Sequence, residues 1–259
     1  MSNYKSILTT FVMSLALLSL TAQAQALNDG QVSQLVKQAD DYRMDDVSAR
    51  VISLVHLYKG GELEKTRQYN VYSRPDRESL VVFKSAVEAG QKMLMLQDNF
   101  WLQMPKSRRP IRITPMQKLL GDASVGDIST LTWSEDYQGQ WLSDESVNDE
   151  SHNRYATHLI ELTAKTTGAS YQRIELWLEQ KTGFPIKANL YLRSGKLAKQ
   201  ATFSRGERND APAVTAMTLV DAIQTDKKTV IEYQSITPWQ LEDKFYNPSF
   251  LARNSTSEL

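Results

Sequence analysis

From Val47 onward the sequence runs in short period-two stretches cut apart by turn residues, a pattern that leaves few folds open. The first stretches are Ala49–Tyr58, ended by Gly60-Gly61; Glu64–Tyr72, ended by Arg74-Pro75-Asp76; Glu78–Ser85; and Lys92–Gln97, turned by Asp98-Asn99 into Phe100–Met104. Tyr155–Ala164, Tyr171–Gln180, Phe184–Leu192, Lys196–Arg205, Val214–Ile223 and Thr229–Ile236 follow. Lys181-Thr182-Gly183 and Arg193-Ser194-Gly195 fit short hairpin loops. About eleven strands in hairpin-joined order predict a mainly β protein with one strongly curved antiparallel sheet.

Helical signals interrupt this order in two places. Val32, Leu35, Val36, Ala39 and Tyr42 form an apolar stripe that predicts a helix over 31–44, with Asn28 or Asp29 as its cap. Thr114-Pro115 followed by Leu119, Leu120 and Gly121 predicts a second, short helix, and 124–131 a further helical turn. Residues 143–154 are polar and read as a loop. No repeat or Pro-rich linker divides the chain, so residues 27–259 are expected to form one domain.

Residues 1–26 read differently. Lys5 precedes an uncharged, mostly apolar run from Ile7 to Leu20, and Ala22-Gln23-Ala24-Gln25-Ala26 offers two small-x-small cleavage sites. That is the three-part pattern of a secretory signal peptide. The run is shorter than the ~20 residues a spanning helix needs. The expectation is a soluble, exported protein with its home in a bacterial periplasm.

Composition excludes several chemistries. The chain has no Cys, which removes disulfide scaffolds, thiolate nucleophiles and Cys-ligated metals. Lys+Arg and Asp+Glu are each 30, a balance that argues against a nucleic-acid partner. None of the nucleophile, zinc or phosphate-loop motifs occurs. His56, His152 and His158 stand without a partner recognisable in sequence. No catalytic residue, metal or cofactor is expected.

The informative segment is the 92–104 hairpin. With Asp98-Asn99 at the turn, Met95 faces Leu102 and Met93 faces Met104. One face then carries Met93, Met95, Phe100, Leu102 and Met104, with Gln97 at the tip, and the other Leu94, Leu96, Trp101 and Gln103. Both faces are largely apolar, so each must be covered, and a half-exposed sheet would show one polar face instead. The Met-rich face is either the core under the first helix or a cavity wall for a flexible apolar ligand, a use that suits Met. Next to it stand Lys106, Arg108, Arg109 and Arg112, either a solvated turn or a docking patch for an anionic partner or membrane surface.

Three segments carry a family resemblance: Phe100-Trp101-Leu102-Gln103-Met104-Pro105-Lys106-Ser107-Arg108-Arg109-Pro110-Ile111-Arg112-Ile113, Leu176–Ala188 with its Gly183-Phe184-Pro185-Ile186-Lys187 turn, and Ser194–Lys199. In their order and spacing the chain resembles the outer-membrane lipoprotein-sorting proteins, the superfamily of the periplasmic carrier LolA, and most closely the branch found with RND/MMPL-type exporters. The segment 121–128 departs from that branch in having no aromatic residue. The resemblance implies a half-open barrel around a hydrophobic cavity with helices as its lid. Val32, Leu35, Val36, Leu119 and Leu120 would then be lid residues, and the Met-rich face would bind lipid. It also implies a monomeric carrier of lipid or lipoprotein acyl chains, with transient membrane contact and an RND/MMPL-type transporter as partner. A lipid- or lipoprotein-sensing module, or an exporter-accessory module, with the same fold is the alternative.

Overall fold

The computed structural model describes residues 26–44, 47–129, 132–253 and 259. The predicted signal segment, apart from Ala26, and the end of the predicted turn at 130–131 lie outside them. The chain opens with α1 (Asp29–Arg43). Eight strands follow: β1 (Ala49–Lys59), β2 (Glu62–Arg74), β3 (Glu78–Phe83), β4 (Lys92–Leu96), β5 (Asn99–Gln103), β6 (Ile111–Ile113), β7 (Lys118–Leu120) and β8 (Ala123–Ser124). After α2 (Val125–Ser129) come β9 (Tyr137–Asn148), β10 (Arg154–Ala164), β11 (Arg173–Glu179), β12 (Pro185–Tyr191), β13 (Leu197–Arg208), β14 (Ala211–Asp221) and β15 (Lys227–Pro238). A short helix, α3 (Pro248–Leu251), lies near the end of the chain.

Thirteen strands form one antiparallel sheet in the order β6-β5-β4-β3-β2-β1-β15-β14-β13-β12-β11-β10-β9. Every neighbour is a hairpin partner except β1 and β15, which join the two ends of the chain at the middle of the sheet. The edges, β6 and β9, do not pair with each other, so the sheet stays open. Register shifts at Ile52/Ser53, Leu159/Ile160 and Ser204/Arg205 mark bulges, which bend strands and increase their twist. Inner-face residues from both halves, Met93 and Phe100 on one side and Ile174 and Leu190 on the other, share a single core cluster.

Local chemistry accounts for α1. Asn28 accepts from Gln31 N and Gln31 accepts from Asn28 N, both at 3.0 Å, a reciprocal capping box that satisfies two orphan amides. Val32, Val36 and Ala39 bury against the sheet and Leu35 is half-buried.

The structure corrects the sequence reading in three places. Residues 114–121 do not form a helix. Thr114 O accepts from Gln117 N in a single turn, and β7 then runs to Gly121, which turns at φ +55° into β8. Eight residues rarely outlast the cost of helix nucleation. Leu119 and Leu120 therefore lie on a strand, with Leu120 buried. Residues 143–148 are not a loop: they continue β9, with Asp144 opposite His158. This strand is an edge with most side chains half-buried or exposed, so its backbone pairing rather than its pattern makes it a strand. The 92–104 hairpin turns through Gln97-Asp98, with Gln97 at φ +54°, so Met95 faces Phe100 and Met93 faces Leu102. The pairing moves by two positions in sum, which leaves every side chain on its predicted face.

Candidate functional site

The topology places the site. The connection between β6 and β9 must pass from one edge of the sheet to the other, across the open side. It carries β7, β8 and α2. The turn between β7 and β8 sits over the sheet's centre, where Asp122 N donates to Thr229 Oγ1 at 3.0 Å. α2 packs against β2 and β3, with Ser79 Oγ donating to Ser129 O at 3.4 Å. α1 covers the other half, against β9 and β14. A Cβ on Gly139 of β9 would come within 2.8 Å of Val32 Cγ1, so the helix sits this close because residue 139 has no side chain.

One end of the open side is clasped. Arg77, in the β2–β3 turn, reaches Asp98 Oδ1 at 2.8 Å and Asp136 Oδ1 at 2.6 Å. Thr166 and Thr167, after β10, donate to Asp136 and Asp98. Gly168 fits there only without a side chain, since its Cβ would stand 2.8 Å from Asp98 Cα. Burial raises both carboxyl pKa values; hydrogen bonds from Arg77 and Thr167 reverse this at Asp98, which ends below the usual range, while Asp136 stays above it. Side chains thus join the two halves of the sheet where strands do not.

Between α1, α2 and β11–β14 lies a cavity of about 40 Å³. Ile174, Leu190, Ala201, Phe203, Met217 and Trp133 supply its apolar wall, and Arg43, Asp127, Ser170, Tyr137 and Tyr171 its polar side. Asp127 is the hub. It accepts from Lys199 Nζ at 2.7 Å, Ser124 N at 2.8 Å, Ser124 Oγ at 2.7 Å and the Tyr171 hydroxyl at 2.8 Å. Burial, with the Asp127 charge beside it, pushes the Tyr171 phenol well above its ordinary pKa. Asp40, fully buried on α1, accepts from Trp133 N at 2.6 Å and Ser134 N at 2.8 Å and so ties the helix to the crossing segment. Burial raises its pKa even though Arg43 and these amides oppose the shift.

The residues singled out in the sequence fall in different places. Met93, Met95 and Phe100 are buried in the inner core, Leu102 is half-buried against it and Met104 is exposed. They do not line the cavity. The hairpin's opposite face is covered too. Leu94, Leu96 and Trp101 form an outer cluster with Leu80, Tyr72 and the C-terminal Leu241, Tyr246 and Leu251. Lys106, Arg108 and Arg109 share the exposed β5–β6 loop and pair with no carboxylate among the described residues. Arg112 stands apart, stacked 4.6 Å from Trp101 and bonded to Asn99.

Two histidines have partners after all. His158 Nδ1 lies 2.7 Å from Asp144, and His56 bridges Thr66 and Glu232 across β2, β1 and β15. Neither borders the cavity. Among the described residues, no three or more His, Asp or Glu side chains gather as metal ligands, and no helix is long and apolar enough to cross a membrane.

Sequence reasoning missed the polar cluster because its members lie far apart in the chain. A signal was present, however. Arg43 follows Val36 by seven residues on the buried stripe of α1, and Lys199 shares the inward phase of Ala201 and Phe203. A charge in a buried phase marks a position that needs a partner.

An open antiparallel sheet, covered on its inner face by a helix and an edge-to-edge crossing, encloses one apolar interior and defines the fold class. Residues 75–253 match the model of a family described as uncharacterized protein. A LolA superfamily protein of Nitrosomonas europaea is similar in structure, with a TM-score of 0.76 and 27% identity over 85% of this chain and 98% of that one. A DUF1329 family protein of Desulfovibrio piger gives 0.69 and 22% over 86% and 98%. A domain of Vibrio parahaemolyticus described as an outer membrane lipoprotein-sorting protein gives 0.67 and 19% over 87% and 100%. The last two speak for the fold alone. No curated protein matches the sequence. The chain belongs to the family of the matched model, which is LolA-like.

Proposed function

We propose that the protein is a periplasmic carrier that shelters acyl chains of a lipid or lipoprotein on the inner face of its sheet and moves them between membranes. The observation that carries this reading is the continuous apolar inner wall, covered by segments that are not part of the sheet. Each acyl methylene withdrawn from water is worth about 0.8 kcal/mol, so a long chain represents on the order of 10 kcal/mol. A cavity of about 40 Å³ cannot hold such a chain. The seat therefore forms when α1 and the crossing connection move as a lid, taking Val32, Leu35, Val36, Leu119 and Leu120 off the wall. Met93, Met95, Phe100 and Leu102 then become lipid-contacting residues, with Met104 at the rim. The carrier acts as a monomer without catalytic residue or cofactor, and an RND/MMPL-type exporter is its membrane partner.

The absence of cysteine makes the test clean. Val32→Cys with Gly139→Cys places two thiols where α1 meets β9. The oxidised protein should fail to bind a fluorescent fatty acid, and reduction should restore binding. Equal binding in both states would overturn the moving-helix account.

One observation favours a second reading, a sensing or exporter-accessory module: the inner wall is already filled by protein side chains. In that case the reduced and unmodified proteins would bind no acyl probe at all.

The exposed loop with Lys106, Arg108 and Arg109 is proposed as the docking patch for anionic headgroups or a membrane partner, with Arg112 beside it. Arg108→Glu/Arg109→Glu is expected to leave the melting temperature within about 2 °C, since exposed charges stabilise a fold little. It should weaken sedimentation with anionic vesicles, most at low salt. Unfolding on reversal, or unchanged sedimentation, would assign the loop a structural role.

A further inference from the structure

The guanidinium of Arg43, which lines the cavity, has the Tyr233 hydroxyl as a side-chain hydrogen-bond partner and no carboxylate within hydrogen-bond distance. It is 4% exposed, and its guanidinium carbon stacks 3.9 Å from the centre of the Trp133 ring. The nearest carboxylate oxygen, on Asp40, stands 3.8 Å from Nη1, beyond hydrogen-bond distance. Both Asp40 oxygens already accept from Trp133 N and Ser134 N. The other cation of the site, Lys199, is held by Asp127 at 2.7 Å. Nε and Nη1 of Arg43 are buried without a hydrogen bond, and so is Ser170 Oγ, which packs against Gly126 on the same lining. Buried donors are almost always satisfied, and the single Tyr233 oxygen cannot serve all five N–H groups of the fork, so the guanidinium calls for a further acceptor.

We propose that Arg43 and Ser170 receive the anionic head group of a single-chain amphiphile, a carboxylate or a phosphate monoester. The proposal rests on the carrier reading and adds to it the chemical class of the ligand and the end by which it is held. An oxyanion offers only acceptors, and a guanidinium fork binds it through two parallel N–H bonds. The Trp133 ring fixes the plane of that fork. A void of about 40 Å³ suits a small head rather than a chain. The apolar wall of the void, with Ile174, Leu190 and Phe203, belongs to the same core cluster as Met93 and Phe100, so the tail continues along the inner wall when the lid moves.

The test uses the delipidated mature protein and three ligands of equal tail: oleate, 1-oleoyl lysophosphatidate and methyl oleate, each displacing the neutral probe Nile red. At least one anion is expected to bind about tenfold or more tighter than the ester. Preference for only one anion identifies which head group the site takes. Arg43→Gln should abolish the preference while leaving methyl oleate within about threefold, and Ser170→Ala should reduce it. If Arg43→Gln does not fold, Arg43→Lys keeps the charge without the fork and should weaken the preference. Equal binding of anions and ester, or a preference that survives at Arg43→Gln, would overturn the proposal and leave the carrier reading standing. Binding of none of the three would overturn both.

Discussion

Asp127→Ala is expected to destabilise the protein by about 3–5 kcal/mol, the range for removing one partner of a buried ion pair. The Lys199 side chain is 5% exposed, so water cannot replace the lost carboxylate. The same change strips the acceptor from Ser124 N and from the Tyr171 hydroxyl. Because Ser124 ends β8 and Tyr171 precedes β11, the crossing connection loses its attachment to the far half of the sheet. Asp127→Leu combined with Lys199→Met should recover much of the loss, since a well-packed apolar pair costs no charge desolvation. Urea denaturation of the three variants measures this. A loss below about 1 kcal/mol for Asp127→Ala would mean that the cluster is solvated and the crossing segment loosely held.

Phe100→Ala is expected to cost a similar amount, about 3–5 kcal/mol. Phe100 is 1% exposed, opposite Met95 on β4 and Ile113 on β6. An open groove in the empty protein would make this substitution mild. The closed interior makes it severe, because the deletion leaves a void that the surrounding wall fills only in part. Leu102→Ala, at a half-buried site near the sheet's edge, should cost clearly less. The void also supplies a second readout: it is apolar, and a fatty-acid probe should bind Phe100→Ala at least as tightly as the native protein. A small stability loss would show that the β4–β5 wall is already open to water.

The strand pattern, α1 with its Asn28 cap and the two-faced hairpin were legible because each depends on local alternation or capping chemistry. What lay outside reach depended on partners distant in sequence. β9 is polar along most of its length, and only its pairing with β10 identifies it. The 114–121 segment has helix-like end signals, but Leu120 buries in the core and Gly121 turns the chain back. Asp98-Asn99 is the better turn dipeptide by composition. The tip forms one residue earlier because Arg77 O accepts from Gln97 N at 2.9 Å and the Asp98 carboxylate is drawn to Arg77 and Thr167. The hairpin's second apolar face, Leu94, Leu96 and Trp101, signalled a cover, but that cover comes from residues more than 130 positions later in the chain. The polar cluster brings together Arg43, Asp127, Ser170 and Lys199 from four separate elements, and no spacing in the sequence records their meeting.

Native mass spectrometry of the protein isolated from its native host, without detergent or organic solvent, tests the central claim most directly. The account predicts a population of folded protein carrying one acyl-chain ligand, which is released on unfolding. The Val32→Cys/Gly139→Cys protein, oxidised before it meets lipid, should appear at the mass of the bare chain. A native protein that flies ligand-free under conditions where a known lipid carrier keeps its lipid would contradict the account.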